Sequence, residues 1–177
     1  MQFSDAQKNM DNAYFGGAPG VLISGLVWIT AGLVGVFHSA QFSMLALFFG
    51  GMIIHPMSVL IAKKLNRSGA HDTDNPLGKL ALESTIILFV GLFLAFYVAK
   101  LSLIWFFPIM LLAIGVRYLA FQTLYGNKLY WALGGLLMFA GMLCILLRAQ
   151  FVYGAFIGGI TEVVFAVLLL KQAKAKD

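Results

Sequence analysis

The sequence predicts an all-α membrane protein with six transmembrane helices. Composition is the first reason. Of 177 residues, 61% are hydrophobic and 11% charged, whereas a soluble domain carries roughly 25% charged residues. Twelve basic and seven acidic side chains cannot cover a soluble body of 19.3 kDa. Disorder is excluded by the mean hydropathy of +0.92, because disordered chains are polar and charge-rich. The second reason is that the apolar residues gather into six long runs. A span takes roughly 20 apolar residues, so six use about 120 and leave short connections. No run shows the alternation of an outer-membrane strand, and lipid admits only helices and closed barrels.

Residues 1–17 read as a short interfacial helix over 3–15. Ser4 with Gln7 fits a capping box, and Phe3, Met10, Tyr14 and Phe15 suit a headgroup region. With one Lys and two Asp here, and a following apolar run too long for a signal core, no cleavable signal is expected. Gly16-Gly17-Ala18-Pro19-Gly20 breaks the helix before the first span. The spans fall at roughly 19–38, 41–62, 80–99, 101–124, 129–148 and 150–170. Tight turns at His38–Ala40, Ala99–Leu101 and Arg148–Gln150 join them into three helical hairpins, and residues 64–79 form a polar, solvated loop. Ala31/Gly35, Ala46/Gly50, Gly91/Ala95, Gly154/Gly158 and Ala155/Gly159 place small residues four apart, the spacing of close helix contacts.

Superposing the turns aligns Gly32, Gly91 and Gly141, then Ala40, Ala99 and Ala149. The first and third hairpins also share Gly50-Gly51 and Gly158-Gly159. This reads as a parallel internal repeat about the membrane normal, against chance alignment of Gly- and Ala-rich runs. Orientation follows from the basic residues. Lys8, Lys63, Lys64, Arg67, Lys79, Lys128, Lys171, Lys174 and Lys176 lie on one side, and Lys100 and Arg148 on the other. The richer side is expected to be cytoplasmic, with both termini there and the protein in an inner membrane. The net charge of +5 is spread over helix ends rather than one basic face, which argues against nucleic acid.

Four ionisable residues fall inside spans, where such groups are costly and are functional candidates. From the lysine-rich side, the helical rise puts His55 about 12 Å from Lys63, Glu83 about 6 Å from Lys79, Arg117 about 12 Å from Tyr125 and Glu162 about 13 Å from Lys171. They share one layer. Cβ atoms tilt toward a helix's N-terminus, so His55, Arg117 and Glu162 point away from the near water, while Glu83 points toward it. A wetted helix-end carboxylate therefore competes with a site role for Glu83. Arg117 and Glu162 are expected to pair, either to hold two spans together or to line a ligand cavity. His55 precedes Pro56, which kinks the helix and frees the Met52 carbonyl. A pocket histidine and a hydrogen-bonded core histidine both fit. Pro108 is expected to kink the fourth span and free the Ile104 carbonyl. Tyr118, Gln122, Tyr125, Asn127, Tyr130 and Trp131 cluster at the lysine-rich end. Tyr118 and Gln122 join the candidate ligand-binding set, although an aromatic belt accounts for the tyrosines and Trp131. Trp28 is expected in the core.

Catalytic motifs, phosphate loops and metal-ligand spacings are lacking. The single Cys144 excludes a multi-cysteine metal site, and His38, His55 and His71 lie on different elements or sides, so no cofactor or metal is expected. The chain resembles the small uncharacterised six-helix integral membrane proteins common in bacteria. The resemblance rests on Ala31-Gly32 with Gly50-Gly51 and on Arg117-Tyr118 before Tyr125-Gly126. It covers most of the chain and brings no established activity. The leading expectation is a small-solute transporter, channel or receptor, with a cytoplasm-facing site of His55, Glu83, Arg117 and Glu162. Membrane lipids, a small anionic solute and a second copy in a homo-oligomer are its expected partners. An intramembrane enzyme acting on a lipid or prenyl group through His55 or a Glu and a non-catalytic helper or assembly protein are the alternatives.

Overall fold

The computed structural model describes residues 1–175. Lys176, counted above on the basic side, and Asp177 lie outside the described residues. The helices are α1 (Phe3–Tyr14), α2 (Ala18–Phe37), α3 (Ala40–Lys64), α4 (Leu77–Ala99), α5 (Phe106–Tyr125), α6 (Leu129–Leu146) and α7 (Phe151–Lys174). There is no strand among the described residues. Six helical segments are long and apolar enough to cross a membrane, so this is a multi-pass integral membrane protein. They correspond to the six expected spans with ends displaced by a few residues.

The fourth span shows the largest displacement. Leu103–Trp105 form a 3-10 turn, and α5 begins only at Phe106. Pro108 therefore stands in the first turn of α5, where backbone N–H groups have no intrahelical partner. The expected mid-span kink at Pro108 is corrected accordingly. Pro56 does lie inside a helix, α3.

Packing is uneven. α2 lies along both α3 and α7, while α5 lies along both α4 and α6. α6 and α7 touch each other far less than either touches its other neighbour. The two arms of this last hairpin are thus held by different partners. Glycine makes the tightest of these contacts. A Cβ on Gly25 would lie 2.9 Å from the Gly159 carbonyl oxygen, and one on Gly159 would lie 2.8 Å from that of Gly25. Gly115 of α5 and Gly134 of α6 form the same arrangement, at 2.8 and 2.6 Å. Both crossings need backbones in direct contact, which small residues permit. Between them lies the core: Trp28 of α2 is 2% exposed and tilts against Phe107 of α5 at 5.7 Å.

The N-terminal segment is bound into this bundle. Phe15, Gly16 and Gly17 have φ of 54°, 63° and 75°, a left-handed turn that glycine adopts without strain and that folds α1 back. Ala6, Met10 and Ala13 are buried, with Met10 in a small cluster containing Leu77 and Leu124. Met10 and Phe15 therefore bury against protein rather than in a headgroup layer. The expected capping box is absent as well. α1 starts at Phe3, its N-cap Gln2 has no side-chain cap, and Gln7 donates from Nε2 to the Thr123 carbonyl at 2.8 Å. The polar loop is also partly tied down. Asn75 is 4% exposed and donates to the Ala6 carbonyl and to Asn9 Oδ1. The Tyr14 hydroxyl lies 2.8 Å from His71 Nδ1.

Candidate functional site

Each glycine crossing brings together residues within one turn of it toward the lysine-rich end. α2 begins at that end and α7 finishes there, so Ser24, just before Gly25, meets Glu162, three residues after Gly159. At the other crossing Tyr118, three residues after Gly115, meets Tyr130, four before Gly134. Their rings stack at 5.9 Å and 24°. The two pairs are joined by one hydrogen bond, from the Tyr118 hydroxyl to Glu162 Oε1 at 2.9 Å.

Glu162 is 0% exposed. Its second oxygen, Oε2, has no hydrogen-bond partner, and neither has Ser24 Oγ. The Ser24 hydroxyl nevertheless faces this carboxylate, so the two groups are neighbours without a well-formed bond. Arg117 is close enough to interact electrostatically with Glu162 but forms no ion pair with it. Its guanidinium turns toward α4, where Nη2 donates to Thr85 Oγ1 at 3.3 Å. It also sits over the Phe121 ring at 5.1 Å, a favourable arrangement for a cation. Its Nε is buried and unpartnered. The expected closed Arg117–Glu162 pair is thus replaced by two separately held charges.

The other candidates lie apart. His55 is exposed on α3 and Glu83 is exposed on α4. α3 and α4 are the two helices that pack mainly on a single neighbour each. A place in the same half of the bundle did not bring either residue to Glu162. Gln122 is half-buried one turn beyond Tyr118, and its carbonyl accepts from the Gly126 N–H at the end of α5.

The tyrosines do more than form a belt. Tyr130 is fully buried, stacks on Tyr125 at 5.6 Å as well as on Tyr118, and donates to the Gly16 carbonyl at 2.6 Å. Phe121 meets all three rings nearly edge-on. A continuous aromatic column therefore runs from Glu162 to the left-handed turn after α1. Trp131, by contrast, is exposed. Sequence reasoning missed Ser24, because one serine in an apolar helix is unremarkable. Its signal was the adjacent Gly25, once Gly159 is recognised as the opposing contact. Thr85 was missed for the same reason.

Among the described residues no group of His, Cys, Asp and Glu gathers that could hold a metal ion. No curated protein and no solved structure matches the chain. The description family of unknown function (DUF7010) matches residues 3–172, a range that takes in α1, all six spans and the whole column from Gly16 to Glu162. The chain belongs to this family, DUF7010.

Proposed function

We propose that the protein is a membrane transporter or receptor for a small solute, worked by protonation of Glu162. The observation that supports this is a wholly buried carboxyl whose second oxygen lacks a partner beside an equally unpartnered serine hydroxyl. A buried polar group left unpaired costs about 1–3 kcal/mol, and a carboxylate that only tied helices together would close its bonds. In this reading Glu162 takes up a proton, Arg117 attracts an anionic group of the solute, and Tyr118 and Ser24 hold the carboxyl in place. The lysine-rich end faces the cytoplasm and the membrane is an inner membrane, following the distribution of basic residues. The test is infrared difference spectroscopy of the reconstituted protein on acidification. A protonated-carboxyl band present in the wild type and lost in Glu162→Gln supports the reading. A spectrum unchanged by Glu162→Gln, in protein that still folds, overturns it. Uptake of labelled small carboxylates and phosphate esters into proteoliposomes then tests Arg117→Gln.

A second reading, a non-catalytic helper or assembly protein, is favoured by the packing. Two shallow depressions open at the lysine-rich end, and neither is lined by Arg117 or Glu162. Under this reading Glu162→Leu leaves the protein more stable and no less active in a complementation assay.

A further inference from the structure

α3 and α7 both pack on α2 but scarcely touch each other. At the lysine-rich end this leaves a groove with a volume of about 220 Å³. Pro19 and Leu22 of α2 form its floor, Ile61 and Leu65 at the end of α3 one wall, and Val167 and Leu170 of α7 the other. The lining is apolar until the groove reaches the end of α7, where Lys171 and Lys174 stand at its mouth. The register is not accidental to one residue: Val167, Leu170, Lys171 and Lys174 fall at i, i+3, i+4 and i+7, so they share one helical face. Both lysines are exposed and neither makes an ion pair among the described residues. Lys63 and Lys64 close the last turn of α3 nearby in the sequence of that wall, and both helices thus end in basic residues.

We propose that this groove is a binding site for an anionic phospholipid. An acyl chain lies between α3 and α7 on the α2 floor, and Lys171 and Lys174 hold the phosphate. The charge complementarity argues for this occupant. A groove that is apolar within the bilayer and ends in two exposed lysines at the interface matches a molecule with an apolar chain and a negative head. Basic pockets between spans on one side of a membrane bind such headgroups. A zwitterionic lipid offers a phosphate already offset by its own cation, and a soluble anion leaves the apolar walls unused. The site is separate from Glu162 and does not depend on its protonation.

The experiment is native mass spectrometry of the full chain in detergent, titrated in parallel with phosphatidylglycerol and phosphatidylcholine of matched chains. The expected result is retention of phosphatidylglycerol in preference to phosphatidylcholine. Lys171→Ala/Lys174→Ala abolishes that preference, weakening phosphatidylglycerol roughly 30-fold, or about fivefold for each lysine near an anionic surface. Lys8→Ala/Lys79→Ala, which removes the same charge elsewhere, leaves it intact. Leu170→Trp, which fills the groove and keeps both lysines, weakens retention. The proposal is overturned if the two lipids bind alike, if both double variants lose the preference equally, or if Leu170→Trp has no effect. Inorganic phosphate that binds the two lysines as tightly as the lipid, so that the acyl chain adds nothing, also overturns it. All variants are compared at equal helical content.

Discussion

At Tyr118 one hydroxyl links the aromatic column to the buried carboxyl. Tyr118→Phe removes the donor to Glu162 Oε1 and leaves both carboxyl oxygens unpaired. The expected loss is about 1–3 kcal/mol, measured by unfolding in detergent. In a Glu162→Leu background the same change costs much less, since residues in one hydrogen-bond network are coupled. At the far end of the column, Tyr130→Phe removes the bond to the Gly16 carbonyl. Amide exchange then accelerates over residues 3–14 and stays slow in the middle of α5 and α6. The sequence makes Arg117 and Glu162 conspicuous because each interrupts an apolar run. Their depth is also legible, since it follows from counting residues along the axis. Direction around the axis is not. A helix that is apolar on all sides has no face to distinguish, so His55, at nearly the depth of Glu162, and Glu83, nearer the lysine-rich end, both lie on the outside of α3 and α4.

The glycines separate helices that need contact from helices that merely tolerate it. Gly25→Ala places a methyl against the Gly159 carbonyl, and Gly115→Ala one against Gly134. Overpacking of this kind costs about 1–3 kcal/mol, and separation of α2 from α7 also pulls Ser24 from Glu162. Gly51→Ala meets nothing within 4 Å, and there the better helix former stabilises by roughly 0.5–1 kcal/mol. The thermal midpoints of these variants, compared in one detergent, distinguish the two classes. All six spans were readable as elements from length and apolarity. The start of α5 was not, because Leu101-Ser102-Leu103-Ile104-Trp105 is apolar enough to read as helix. That made Pro108 look interior when it occupies a first turn. The small-residue spacing identified contact faces, but only the packing shows that α7 chooses α2 over its sequence neighbour α6.

Over the whole molecule, six spans require the described ends of the chain to emerge on the same side. In a Cys144→Ser background, Lys8→Cys and Lys174→Cys are expected to react with an impermeant maleimide from one face of the membrane, and Arg148→Cys from the other. Labelling of Lys8 and Lys174 from opposite faces would break the topology. The seating of α1 also imposes an order on assembly. Gln7 bonds to Thr123, 116 residues later, and Gly16 to Tyr130, 114 residues later. α1 is thus made long before these two partners exist. At about 5–20 residues per second of synthesis the delay is roughly 6–23 s. Until the fourth span has turned into the fifth, α1 can lean only on earlier parts of the chain, Leu77 for Met10 and Arg67 for Phe15, so the nascent chain carries a half-covered apolar segment that is sealed only then.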